Sequence, residues 1–159
     1  LEEVAEVLRR AKARDIAIHL PADVVAADST DEGAAHETVE LADIGDRMGL
    51  DIGPETSRSF ASVIDDARTV LWNGPMGIFE VDDYSKGTTA VAQAVAKATK
   101  NGAYTVVGGG DSAAALRGLG MARDVTHLST GGGASLEFLE GKELPGIAAL
   151  ERAANRSTS

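Results

Sequence analysis

The sequence contains no cysteine, which excludes a disulfide framework and any thiolate metal site. That fits a reducing compartment without requiring one. Aromatic residues make up only 4% of the 159 residues, and there are four prolines. No apolar run reaches the ~18–20 residues that a membrane-crossing helix needs. Positive charge is also in short supply. Fifteen Lys and Arg stand against 25 Asp and Glu, for a formal net charge of −10. This balance argues against a nucleic acid backbone or an anionic membrane as partner. Any phosphate ligand would have to be held by local devices and not by the overall field. His19, His36 and His127 are too far apart in sequence for a metal-ligand pattern. The first residues are acidic, and no basic segment leads into an apolar one, so they do not read as a secretory signal.

What is present is ample apolar material, 43% of residues, and 18 glycines. The length suits one domain with its own core and excludes wholesale disorder. Leu1, Val4, Leu8 and Ala11 recur at helical spacing opposite a charged face. No capping residue precedes that helix, so the sequence is expected to begin inside a longer polypeptide. Asp15 to Pro21 alternates like a short strand stopped by proline, and Asp23 to Ala27 reads as a second strand. Ser29 to Ala42 is expected to be an exposed excursion, and Met48 to Pro54 a glycine-punctuated loop. Thr56 is expected to cap a helix with Phe60, Val63, Ile64 and Ala67 on its apolar side. Thr69 to Trp72 then reads as a buried parallel strand. A long helix is expected from about Ser85 to Lys100, stopping at Asn101-Gly102. Strands Tyr104 to Val107 and Val125 to Ser129 follow, each leading through three glycines into a helix. Ile147 to Ala154 is the last predicted helix, and 155–159 is expected to be a flexible tail. Strand and helix alternate, so the fold class is α/β with a mostly parallel sheet. Trp72, Phe79 and His127 read as core residues.

The chemistry is expected where strands end and helices begin, the edge at which open parallel sheets bind ligands. Successive glycines let a ligand approach the backbone, and helix N-termini present unpaired N–H groups with a positive dipole end. The triplets starting at Gly108 and Gly131 therefore point to phosphate, which such a device holds without net positive charge. Asp111 follows the first triplet. It suits Mg²⁺ beside phosphate, or it simply caps the helix. Ser112 adds a hydroxyl for phosphate or metal. Glu80 either accepts hydrogen bonds from ribose hydroxyls or is a solvated acid beside Asp82 and Asp83. Asn73 either orients a phosphate or caps a turn. Gly49 and Leu50 either press against a base or form a plain turn. The P-loop and dinucleotide fingerprints are absent, and no basic residue lies within either triplet motif.

Three stretches together carry a resemblance: Trp72-Asn73-Gly74-Pro75-Met76-Gly77-Ile78-Phe79-Glu80, Gly108-Gly109-Gly110-Asp111-Ser112, and Ser129-Thr130-Gly131-Gly132-Gly133-Ala134-Ser135-Leu136-Glu137. They resemble, in order and spacing, the C-terminal nucleotide-binding half of phosphoglycerate kinase. Gly49 to Pro54 and Leu139 to Gly146 fit as well. The resemblance implies a Rossmann-like three-layer domain over 1–154, incomplete at its start. It implies Gly49 and Leu50 at the adenine pocket, Asn73, Pro75 and Gly77 in the nucleotide cleft, and Glu80 on the ribose. Gly109, Gly110, Asp111 and Ser112 would hold the phosphates, with Asp111 on Mg²⁺. Gly110, Gly131 and Gly132 would face the transferring phosphoryl group, with Ser129 and Thr130 near a hinge. The implied reaction is reversible phosphoryl transfer between 1,3-bisphosphoglycerate and ADP, giving 3-phosphoglycerate and ATP, in a cytoplasmic glycolytic enzyme that is a monomer when intact. The phosphoglycerate-binding domain and a lysine-bearing glycine segment of the family lie outside this sequence, so catalysis by this chain alone is not expected. A non-catalytic nucleotide-binding module and a fragment that pairs with another chain are the alternatives.

Overall fold

The computed structural model describes residues 2–129 and 131–157. Leu1, Thr130 and the last two residues of the expected tail lie outside that range.

The periodicities locate most elements. Helix α1 (Glu2–Ala13) is followed by three short strands, β1 (Asp23–Ala27), β2 (His36–Glu40) and β3 (Met48–Ile52), and by helix α2 (Pro54–Asp65). Strand β4 (Thr69–Asn73), helix α3 (Lys86–Lys100), strand β5 (Tyr104–Gly108) and helix α4 (Gly110–Gly118) come next. Strand β6 (His127–Ser129) and helices α5 (Gly132–Leu139) and α6 (Pro145–Ser157) complete the order. The chain is α/β. Strands β4, β5 and β6 form a parallel sheet in that order, and helices supply the crossovers that parallel pairing demands. Ile52, Trp72, Val91, Ala92, Val95, Val107 and Leu116 form its core.

Several expectations change, chiefly because strand identity depends on hydrogen-bonding partners distant in the chain. Met48 to Ile52 is a strand and not a loop, because β1 pairs with it antiparallel. The excursion at 29–42 is exposed but contains β2, paired to the other side of β1. These three strands make a separate antiparallel sheet that the alternation of elements did not foretell. The alternating segment 15–21 forms no strand, and Ile16, Ile18 and Leu20 are exposed. Among the described residues strand β4 bonds to β5 alone, and Leu71 remains 41% exposed although Trp72 is buried. His127 is exposed and not a core residue, Phe79 is only half-buried, and α6 carries the expected tail onward to Ser157.

Thr56 does not cap α2. The N-cap is Gly53, with Pro54 in the first turn, and the capping oxygens come from Asp23 on β1. Its carboxylate accepts the Glu55 N–H at 2.9 Å, the Thr56 N–H at 2.7 Å and the Thr56 hydroxyl at 2.6 Å. Burial alone would raise the Asp23 carboxyl. The Thr56 hydroxyl and the helix N–H groups outweigh it and hold the group below its ordinary range. Asp23 therefore locks the antiparallel sheet to α2. Asp23→Ala strands buried donors and is expected to cost about 2–3 kcal/mol in urea unfolding at neutral pH. A depressed carboxyl contributes stability above its unfolded value and loses it as pH falls through the folded one. The gap between variant and parent should therefore close as pH drops below about 4.

Candidate functional site at the strand ends

Parallel register places the three strand ends level. Asn73 pairs with Gly108, and Gly108 with Ser129. Helices α4 and α5 start immediately beyond, so both N-termini open on one edge. The two glycine triplets meet there. A first side-chain carbon at Gly132 would lie 2.6 Å from Gly109 Cα, 2.8 Å from Gly109 N and 2.9 Å from Asn73 Oδ1. Only hydrogen fits at that point. Gly109 turns with φ +98°, a conformation side chains resist, and it serves as the N-cap of α4. Both N-cap residues are glycines, and among the described residues no side chain caps either helix. Gly110 faces open space and is exposed, so the first backbone N–H groups of α4 are accessible to an anion. Gly131 caps α5, and its carbonyl accepts from the Ser135 hydroxyl at 3.1 Å.

The loop between β4 and α3 is tied down along its length. The Trp72 indole donates to the Gly74 carbonyl at 2.6 Å, and the Gly74 N–H donates to Ser112 Oγ at 2.7 Å. The Met76 and Gly77 N–H groups reach Thr88 Oγ1 at 3.0 and 3.3 Å. The Ile78 N–H donates to the Leu50 carbonyl at 3.0 Å. Ser112 is buried, so its hydroxyl oxygen serves the loop from inside the fold. Pro75 and Gly77 sit half-buried in this loop, and Asn73 and Glu80 are exposed at its two ends. Glu80 lines a groove of about 310 Å³ with Phe79, Thr89 and the flank of α4 at Ala115 and Leu119. Helix α4 thus joins a triplet at its N-terminus to the Glu80 groove along its side. Gly49 is exposed on β3, whereas Leu50 is buried in a small cluster with Val25, Ala27 and Tyr84.

Asp111 stands exposed in the first turn of α4, beside open Gly110. Among the described residues no cluster of three or more His, Cys, Asp or Glu could hold a metal ion by itself. That donor set suits a hard cation that takes one carboxylate and completes its shell with phosphate oxygens and water.

Two residues the sequence reading passed over organise this edge. Asp51, buried on β3, accepts the Gly87 N–H at 2.7 Å and the Ile52 N–H at 2.9 Å. Burial pushes its carboxyl up, opposed by those N–H groups and by the charge of Lys86. Thr88, also buried, is the second. A signal existed, because a carboxylate between apolar Leu50 and Ile52 needs buried partners to be tolerated.

Comparison with known proteins settles the family. Residues 1–142 match the family model described as phosphoglycerate kinase. The chain belongs to the phosphoglycerate kinase family. It is 57% identical over 154 residues to phosphoglycerate kinase of Chloroherpeton thalassium, a match covering 96% of this chain and 39% of that protein. It is 59% identical over 136 residues to phosphoglycerate kinase of Rhodococcus opacus, covering 84% of this chain and 34% of the relative. The solved phosphoglycerate kinase of Coxiella burnetii superposes with a TM-score of 0.85 at 40% identity, over 92% of this chain and 38% of that structure. The chain spans about two-fifths of the length of these kinases. Relative to that fold, the parallel sheet here is the incomplete Rossmann-like layer expected of such a stretch. Among the described residues, no helix is long and apolar enough to cross a membrane.

Proposed function

We propose that this chain forms the magnesium–nucleotide site of a phosphoglycerate kinase, which transfers a phosphoryl group between 1,3-bisphosphoglycerate and ADP. The observation that carries this reading is the convergence of two uncapped helix N-termini on one glycine-lined edge, with Gly109 and Gly132 in contact. Gly109, Gly110 and Asp111 receive the phosphates of ADP or ATP. Ser112 takes part from beneath, by fixing Gly74. Asn73, Pro75 and Gly77 line the cleft, Glu80 takes the ribose, and Gly49 and Leu50 border the adenine.

Asp111 would hold magnesium, which would supply neutralisation of phosphate charge. Gly110, Gly131 and Gly132 face the transferred group with backbone dipoles, which stabilise charge without reorganising. Neither triplet motif contains a basic residue. We infer that the cations for the transferring group, and the binding of phosphoglycerate, come from the part of the family's polypeptide that this chain does not span. The 159 residues alone then bind nucleotide but do not turn over, and the intact enzyme is a cytoplasmic, glycolytic monomer.

Calorimetric titration with ADP, with and without Mg²⁺, tests the reading. Saturable binding strengthened by Mg²⁺ is expected, and a folded chain that binds no ADP would overturn it. Asp111→Ala should lower Mg-dependent affinity about tenfold, the worth of one lost charge-assisted contact. Glu80→Ala should cost less, and its loss should be equal with and without Mg²⁺. Equal losses for Asp111→Ala in both conditions would remove the metal role.

A further inference from the structure

Asp51 is a buried carboxylate that the proposed chemistry does not use. It stands where three elements meet. Its own strand, β3, carries Leu50. The segment at Gly77 lies flush on it, since a first side-chain carbon at Gly77 would be 2.5 Å from Asp51 Oδ1, 2.5 Å from the Leu50 carbonyl oxygen and 2.6 Å from that of Tyr84. The first turn of α3 reaches it through the Gly87 N–H, which donates to Asp51 Oδ2 at 2.7 Å, and a carbon at Gly87 would overlap Asp51 Oδ1. Thr88, the next residue of that turn, accepts the Met76 and Gly77 N–H groups. The Ile78 N–H closes the circuit on the Leu50 carbonyl. Neither glycine leaves room for a side chain, Gly77 because of the carboxylate and two backbone carbonyls, Gly87 because of the carboxylate and Ile52.

We propose that Asp51 and Thr88 are positioning residues that clamp the Gly77–Ile78 segment against β3 and thereby set how tightly the adenosine end of the nucleotide is held. The inference rests on the nucleotide reading above; Asp51 is assigned no contact with the ligand, and Thr88, which also borders the Glu80 groove, acts through the loop N–H groups it accepts. The triplets, which take the phosphates, follow β5 and β6 beside Asn73, and among the described residues neither Asp51 nor Thr88 hydrogen-bonds to them. A charged group at this depth is costly unless every oxygen is used, and Asp51 spends its oxygens on the N–H of Gly87 and of Ile52. In Asp51→Asn the shape is kept, but an amide NH₂ must face one of those two N–H donors. In Thr88→Val the acceptor for the loop is lost at nearly constant volume, whereas Thr88→Ser retains it.

The test compares ADP with inorganic pyrophosphate, both with Mg²⁺, on the 159-residue chain. Asp51→Asn and Thr88→Val are expected to weaken ADP about tenfold, the usual cost of stranding one buried donor. Pyrophosphate affinity is expected to stay at the parent value, and Thr88→Ser to restore ADP binding. A purely structural role would move neither ligand in a folded variant, or both together, and either result overturns the clamp. If Asp51→Asn fails to unfold cooperatively, the Thr88→Val and Thr88→Ser pair decides by the same criterion. A parent chain that binds neither ligand overturns the nucleotide reading itself. A parent that binds ADP but not pyrophosphate overturns the division of the ligand on which the clamp depends.

Discussion

Gly132→Ala is expected to destabilise this chain and to loosen the edge where its two glycine triplets meet. The new carbon would sit 2.6 Å from Gly109 Cα and 2.8 Å from Gly109 N, atoms of backbone that cannot rotate aside. Two effects compete. Alanine is the better helix former at the start of α5, by about 1 kcal/mol. Overpacking a rigid contact costs about 1–3 kcal/mol and more when backbone must move. The steric term wins, and a net loss of about 2 kcal/mol in urea unfolding follows. Relief of the clash must also part the two helix N-termini, so affinity for Mg-ADP should fall more than tenfold, by about 1.4 kcal/mol or more. Gly133→Ala is the control. Nothing lies within 4 Å of its added carbon, so the propensity term stands alone and stability should rise slightly. Gly110→Ala separates the roles further. Its carbon also meets nothing, so folding should be unaffected while phosphate affinity drops, because the methyl group occupies ligand space. A Gly132→Ala chain as stable as its parent would show that the triplets do not touch.

That contact shows where sequence reading succeeds and where it stops. The run from Ser85 to Ser112 is legible because each signal is local. Apolar spacing defines α3, Gly102 with φ +99° ends the turn after it, and Gly109 with φ +98° starts α4. The triplets are legible as glycine-rich strand-to-helix turns for the same reason. That Gly132 rests on Gly109, with Asn73 beside them, depends on the register of β4, β5 and β6, which no local pattern encodes. The strand β3 is hidden behind Gly49 and Gly53, because its identity comes from pairing with β1, 20-odd residues earlier in the chain. The cap of α2 is hidden likewise, since Asp23 belongs to another element. The reverse error occurs at 15–20, where alternation is genuine but Ile16, Ile18 and Leu20 find no strand partner among the described residues. Ser112 illustrates the same limit within the site. Its hydroxyl oxygen accepts from the Gly74 N–H, a contact across 38 residues that its place after the triplet does not announce.

Gly77→Ala should separate binding from folding in a different way. Gly77 does not have a positive φ, so the substitution imposes no backbone strain of its own. The cost is entirely spatial, from three oxygens at 2.5–2.6 Å, two of them backbone carbonyls of Leu50 and Tyr84. None can swing away as the end of a flexible side chain would. The loop must lift from β3, and the Ile78 hydrogen bond to Leu50 and those of Met76 and Gly77 to Thr88 lengthen together. The loop touches the core of the parallel sheet through Met76, while Trp72, Val95 and Val107 within that core make none of these contacts and stay packed. The expected result is a moderate loss in thermal stability with a loss of ADP affinity on the order of a hundredfold, equivalent to about 3 kcal/mol. Gly74→Ala makes the opposite trade. Its φ of +94° is strained for alanine, but its added carbon meets no atom, so a cost of about 1 kcal/mol in folding is expected with the lower loop undisturbed. If Gly77→Ala and Gly74→Ala weakened ADP equally, the tight seat of the loop on β3 would have no part in holding the nucleotide. A larger loss at Gly77 ties binding to that seat, and so to the buried oxygens that surround it.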